Sequence, residues 1–476
     1  MRTEHDCLGE MELPDSVYYG IQTARVLRNS AISGIAVIYY PYLHERLAHM
    51  KKAAALANHA VGALEPDIKD AIIYATDRIL TEDWRAQFPL DMYQGGGFTC
   101  VNMNMNEVIA NIANERLTGH KGYDRVHPNT HVNMGQSTND MIPSVMKLAI
   151  APALDKLVAE IRCLYAALHE KQTDFSDIIK VGRTCLQDAV PMTLGQEFSG
   201  YSRFVERQIT ALTTLRQECF RLIVGATAVG TGIGSFPGYQ NAFYHHLSDV
   251  LQEDVVPCDN FFDGMQNDDF YLQVSGALKI AACGISKIAK DLRLLSSGPR
   301  AGFAEITLPA LTPGSSIMPG KINPVLPELA SLTAQQICGN DMAITMGFEQ
   351  GELEINVWAS TLYKNLFESF TLLTNMLPAF TQRCIKGITA NKVTCAQYAN
   401  DTLALSTMIS AIFGYEEGVR VAQYASEHHI SVKEAVLQLG VLNAKDADYL
   451  LDPQLIINPE AMSHAIYQWR NKNNES

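Results

Sequence analysis

DFYLQVSGALKIAACGISKIAKDLRLL, residues Asp269–Leu295, is the most regular stretch of this 476-residue chain. Val274, Ala277, Leu278, Ala281, Ile285, Ile288, Leu292 and Leu295 recur at intervals of three and four almost throughout. That is the spacing of one helix face, close to a coiled-coil seam. At about 1.5 Å per residue, such a helix is roughly 40 Å long. Working outward, Leu154, Leu157, Val158, Ile161, Leu164 and Leu168 carry a second stripe within 143–172, where Pro152 is expected to kink or break the helix. Further long helices are expected over 195–223, 327–346 and 356–380. Shorter ones are expected over 44–63, 67–80 and 106–117, and again over 391–397, 402–412, 415–428 and 432–440. Long helices with apolar seams and few strands predict a mainly α chain built on a central long-helix bundle. Stripes of this length bury more than one neighbour, so self-association is expected. The changes of character divide the chain into an N-terminal mixed, mostly helical domain (1–138), a central long-helix bundle (139–393) and a small helical C-terminal domain (394–476), which ends in a polar tail, 471–476.

Composition narrows the function. Formal net charge is −14, which argues against nucleic acid and against an anionic membrane surface. No apolar run approaches the roughly 18 residues that span a bilayer. Met1–Asp6 is polar and acidic with no apolar stretch behind it, so no secretory signal is expected. The ten cysteines are scattered and form no Cys-x-x-Cys pair, so they are expected to be free thiols in a reducing cytoplasm. The adjacent pairs His245-His246 and His428-His429 do not suit a metal, because neighbours on a helix face different ways. No Walker-type or dinucleotide-type glycine pattern is present, so a nucleotide site is unsupported.

Loops between the helices carry the chemistry. Gly314-Ser315-Ser316-Ile317-Met318-Pro319-Gly320-Lys321-Ile322-Asn323-Pro324 holds two hydroxyls, one amine and one amide between two glycines and two prolines. Lys321 and Asn323 suit a carboxylate, and Ser315 or Ser316 could act as a base if its pKa were lowered. Three other loops are rich in hydroxyl and amide groups and poor in cations. They are Gly95–Asn104, which offers Thr99 and Asn102; Gly135–Asp140, with Ser137, Thr138 and Asn139; and Gly182–Asp188, with Thr184. Many neutral donors plus Lys321 would suit a small doubly anionic substrate such as a dicarboxylate. One reaction fits such a site. Removing a proton α to a carboxylate builds up enediolate charge, which preorganised donors stabilise as it develops.

In order and in content these loops resemble the signatures of the aspartase/fumarase superfamily. The likeness runs from about residue 8 to residue 440. Gln94-Gly95-Gly96, Gln136–Asp140, Leu186–Thr193 and Asn323-Pro324-Val325-Leu326-Pro327-Glu328 look more like its ammonia-releasing branch than its hydratases. The resemblance implies a three-domain, largely helical fold and a homotetramer whose active sites are each shared by three subunits. It implies reversible anti elimination of ammonia from L-aspartate, giving fumarate, with no cofactor required and divalent-metal activation left open. Ser315 would be the base that takes the Cβ proton. Lys321 and Asn323 would bind a carboxylate, and Thr99, Ser137, Thr138, Asn139 and Thr184 would bind the carboxylates and the amino group. Cys185, which stands where many members have histidine, and His127, which matches a histidine near a second anion site in fumarases, are carried as further candidates. The alternatives are a hydratase acting on malate and fumarate, a relative that adds another amine to fumarate, and a non-catalytic protein on a lyase fold.

Overall fold

A computed structural model describes residues 1–474. Of the expected polar tail, residues 475 and 476 lie outside the described residues, and the part up to Asn474 continues the Pro459–Asn474 helix. The chain is mainly α, and among the described residues its strands form only two-stranded sheets. Five helices dominate: Thr138–Asp174, Leu194–Glu218, Asp269–Leu295, Val325–Glu349 and Ala359–Arg383. The periodic stretch is a single helix from Asp269 to Leu295, as its pattern predicts. Seven of its eight stripe residues are buried, and Ala277 is half-buried. At about 1.5–3 kcal/mol per fully buried large apolar side chain, this face supplies much of the drive for packing.

The chain divides into two compact units, each discontinuous in sequence. The first comprises Met1–Ala159, Ile209–Ala282 and Thr333–Thr374. In it, polar pairs fix the rotation of the long helices. Ser275 Oγ and Lys279 Nζ donate to Asp341 at 2.7 and 2.5 Å, Asn340 Nδ2 to Ser369 Oγ at 3.1 Å, and Tyr271 OH to Pro143 O at 2.7 Å. The second comprises Glu160–Gln208, Cys283–Leu332 and the chain from Asn375 onward. Here Phe175, Phe198 and Tyr201 stack edge to face. The backbone also approaches itself very closely at Gly195 in this unit. A Cβ on Gly195 would sit 2.6 Å from Gln172 O and 2.7 Å from Ser176 Cα. Both are backbone atoms and cannot swing away. Gly195→Ala is therefore expected to cost about 1–3 kcal/mol, read as a lowered denaturant midpoint.

Several expectations are corrected. The helix expected over 106–117 starts at Thr99 and runs to Thr118. Its opening, Thr-Cys-Val-Asn-Met-Asn, reads as a loop because asparagine is a poor helix former. Tertiary partners override that preference: Asn102, Asn104 and Asn106 are buried and each donates to a group outside the helix. Pro152 does not end its helix, which continues to Asp174. The polar loop at 182–188 is the tip of an antiparallel ribbon, Ile179–Thr184 with Gln187–Thr193. A second ribbon, Arg2–Asp6 with Gly9–Leu13, and three helices after Ala444 were not anticipated. The C-terminal helices share their own apolar cluster around Ile409, Val421, Val432, Val436 and Leu450. Among the described residues, no helix is long and apolar enough to cross a membrane.

Candidate active site

The expected site residues fall into two groups, one in each unit. In the first unit, Phe98 takes a left-handed backbone conformation (φ 61°), and the helix begins at Thr99 with no side-chain cap and no acidic residue in its first turn. Uncapped N–H groups at a helix start attract anions. Thr99 is exposed, its hydroxyl donating to Gly96 O at 2.7 Å. Thr138 opens the second helix start. Ser137 Oγ accepts the Asn139 N–H at 3.3 Å, and Asn139 Nδ2 donates to Ala228 O at 2.8 Å. Asn102 Nδ2 donates to Thr138 Oγ1 at 3.2 Å, so the first turns of the two helices touch. Thr99, Ser137, Thr138 and Asn139 thus lie on two joined helix starts, with exposed or half-buried polar groups and, among the described residues, no side-chain cation bonded to them.

A buried polar layer holds these starts in place. Asp140, fully buried, accepts the N–H groups of Ser137 (2.9 Å), Gly225 (3.1 Å) and Thr227 (2.9 Å). One carboxylate therefore pins two glycine- and hydroxyl-rich loops. Burial pushes its carboxyl up to about 7, although the three N–H groups favour the ionised form. Lys51, also fully buried, donates to Gln136 Oε1 at 2.8 Å and Asn133 Oδ1 at 3.1 Å. The same Asn133 oxygen accepts from Asn102 and Asn106 at 3.1 Å each. Burial pulls the Lys51 ammonium down to about 7, and the Asp140 carboxylate opposes that shift. Sequence reading missed Lys51. The available signal was its register: it shares a helix face with Leu47, Ala54 and Asn58, all buried.

His127 takes a different place. Its Nδ1 accepts the N–H groups of Asn129 and Thr130 at 3.2 Å each and so caps the single π-helical turn Pro128–Val132. Burial lowers its pKa below the ordinary histidine value. A cavity of about 400 Å³ lies beside that turn, lined by Asn129, Thr130, Gln136 and Thr227 among others, while His127 is set back from it.

In the second unit, the loop after Pro313 closes on itself. Gly314 N donates to Lys321 O at 2.7 Å and Asn323 Nδ2 to Gly314 O at 2.9 Å. A Cβ on Gly314 would meet Asn323 N at 2.6 Å, so only glycine fits the neck. Within this ring Ser315 Oγ accepts two backbone N–H groups, from Ile317 at 3.2 Å and Met318 at 3.0 Å. Donors aimed at a hydroxyl oxygen favour its alkoxide. Ser316 has no such pair, so the geometry separates two serines that the sequence left equivalent. Lys321 is exposed and makes no ion pair among the described residues. Ile317, 84% exposed, and Met318 leave an apolar loop tip in solvent.

Thr184 ends the first strand of the ribbon, and Cys185 and Leu186 form its tip with φ of 52° and 59°. Left-handed backbone costs a residue with a Cβ about 1–2 kcal/mol. Leu186 is also 61% exposed. Leu186→Gly is expected to raise stability by about 1 kcal/mol; an unchanged denaturant midpoint would mean that leucine's own contacts offset the strain. Beneath the tip lies an ion network that was not anticipated. Arg183 donates to the fully buried Glu305 at 2.8 Å, and Lys180 bridges Glu305 at 3.5 Å and Glu197 at 2.8 Å. It anchors the strand that presents Thr184.

Known proteins give this arrangement its context. A family model described as "Lyase" matches residues 9–339, and one described as "Fumarase C C-terminus" matches 405–458. Aspartate ammonia-lyase of Helicobacter pylori is 42% identical over 97% of this chain and 99% of its own. That of Bacillus subtilis is 44% identical over 96% of both. Among solved structures, a fumarate lyase:delta crystallin from Brucella melitensis bound to cobalt superposes with a TM-score of 0.92 at 38% identity, covering 96% of this chain and 100% of that one. A class II fumarase from Schistosoma mansoni gives 0.92 at 33%, covering 96% and 99%. With near-complete coverage in sequence and in fold, this chain belongs to the aspartase/fumarase superfamily of lyases.

Proposed function

We propose that this protein is an ammonia-lyase that reversibly converts L-aspartate to fumarate and ammonia. The observation that carries the reading is the near-full-length identity, 42–44%, to aspartate ammonia-lyases of two different bacteria. Ser315 takes the Cβ proton. Its oxygen already receives two N–H groups, which lower the cost of the alkoxide that must exist to do so. Lys321 and Asn323 bind the carboxylate next to the carbon that loses the proton, and Lys321 offsets the second negative charge as the enediolate forms. The helix starts at Thr99 and at Thr138, with Ser137, Asn139 and Thr184, bind the remaining carboxylate and the amino group. The elimination needs a base and oriented donors, so we assign it no cofactor.

Assembly is part of the proposal. The Val325–Glu349 helix has an exposed stripe of Leu332, Gln335, Gly339, Met342 and Met346, at spacings of three and four. Between Leu329 and Phe348 its only charged residue is Asp341, which is buried and paired. A charge-free stripe of this kind suits another helix better than water. It supports a homotetramer in which three subunits complete each site. The exposed thiols Cys7, Cys163 and Cys185 suit a reducing compartment, the cytoplasm.

The test is the rise of fumarate's ultraviolet absorbance on adding L-aspartate to purified protein, with L-malate in parallel. Fumarate from aspartate alone supports the proposal. Fumarate from malate alone would move the chain to the hydratase branch, represented among its solved relatives by the fumarase. Silence with both would remove aspartate as substrate and direct the next assay to other amines with fumarate.

A further inference from the structure

A cavity of about 420 Å³ in the first unit has no part in the chemistry above. Its size is that of a small-molecule site. It opens beside the N-terminal end of the Asp269–Leu295 helix, and Asp268 lies in its wall. Asp268 is only 7% exposed, yet no hydrogen-bond donor reaches its carboxylate among the described residues. A nearly buried carboxylate with no donor is costly as an anion.

The neighbouring charged groups are already engaged. Lys147 Nζ donates to Arg221 O at 2.7 Å and lies 4.8 Å from the Phe270 ring centroid. Arg221 lies between Glu218 and Asp259, at 3.7 and 3.8 Å. Asp263 accepts from Asn267 Nδ2 at 2.7 Å, and Asp269 from Gln273 Nε2 at 2.9 Å. Cys258 and Tyr271, the remaining titratable lining groups, are held neutral by burial, which raises the pKa of each. The wall therefore holds five carboxylates and two cations, and among the described residues Asp268 is the one nearly buried carboxylate that lacks both a donor and an ion pair.

From this geometry we infer a second ligand site: the cavity binds a small alkylammonium compound, whose N–H groups donate to Asp268 and whose carbon chain lies against Phe270 and Ile223. A bare metal ion fits less well, because no group of three ligating side chains comes together among the described residues. A primary ammonium needs only one carboxylate and an aromatic face. Burial, reinforced by Asp269 and opposed by Lys147, pushes the Asp268 carboxyl up to about 7. Ligand binding should therefore tighten as that proton leaves.

The probe is 1,4-diaminobutane, titrated calorimetrically into the intact protein without substrate. It has no carboxylate that could occupy the catalytic site as aspartate does. The expected result is saturable binding, one molecule per chain, about tenfold tighter near pH 8 than near pH 6, since the competent, ionised fraction grows by about that factor. Asp268→Asn should weaken it at least about tenfold and leave aspartate turnover in place. Ser315→Ala should bind the diamine as the wild type does. The pH series needs no variant, so it decides the matter even if Asp268→Asn fails to fold. Absence of saturable heat, equal binding of 1,4-butanediol, or affinity that is flat with pH would overturn the inference.

Discussion

Replacing Ser315 by alanine is expected to lower kcat for aspartate by about 10³-fold or more, within the range that a positioned general base contributes, while leaving KM and the fold nearly unchanged. The fold should survive because the Ser315 hydroxyl is a local acceptor in an exposed loop. Its two donors, the N–H groups of Ile317 and Met318, can turn to water. Losing such bonds at the surface costs about 1 kcal/mol or less. The rate should collapse because no other group in this loop has both the basicity and the setting. Ser316 receives no pair of N–H groups among the described residues, and Lys321 is assigned to the substrate carboxylate. Steady-state kinetics with circular dichroism separates the two effects. A folded Ser315→Ala protein with near wild-type kcat would show that another residue takes the proton.

Replacing Asp140 by alanine is expected to cost about 3–5 kcal/mol of stability, the range for breaking a buried ionic hydrogen-bonding group. It removes the acceptor of three N–H groups, those of Ser137, Gly225 and Thr227. Gly225 and Thr227 have no water to turn to, since both are buried. The same change takes from the buried Lys51 the carboxylate that helps keep it charged. Asp140→Asn should cost less, because its single oxygen can still serve one loop or the other. The order expected in chemical denaturation is wild type above Asn above Ala. KM for aspartate should rise in both variants, because Ser137, Thr138 and Asn139 lose their anchor. Equal midpoints for all three proteins would remove Asp140 from its positioning role.

How much of this was readable from the chain varies with the kind of order involved. The Asp269–Leu295 helix was readable to the residue, because a long apolar stripe has one favourable solution. The Ser315 loop was readable as a loop, because its residue types suit neither helix nor strand. The start of the Thr99 helix was not, because Asn102, Asn104 and Asn106 oppose a helix locally and are rescued only by partners far along the chain. The ribbon carrying Thr184 was hidden for a similar reason. Its tip, Cys185-Leu186, lacks the Asn-Gly chemistry by which such turns announce themselves.

By itself the sequence determined the mainly α class and the long helices, and its motifs marked the superfamily. The class and the helices follow from local composition and period, and the superfamily from the resemblance of its loop motifs. Only the tertiary structure decided which serine receives two N–H groups, that Asp140 and Lys51 hold the helix starts at Thr99 and Thr138, and that Glu305 anchors the strand behind Thr184. The serine's donors are close in sequence and depend on how the loop folds back, whereas the pairings of Asp140 with Gly225 and Thr227, of Lys51 with Gln136 and of Glu305 with Arg183 join residues tens to more than a hundred positions apart. A buried charge is tolerable only beside its partners, and the partners are known only once the backbone has brought them within about 3 Å.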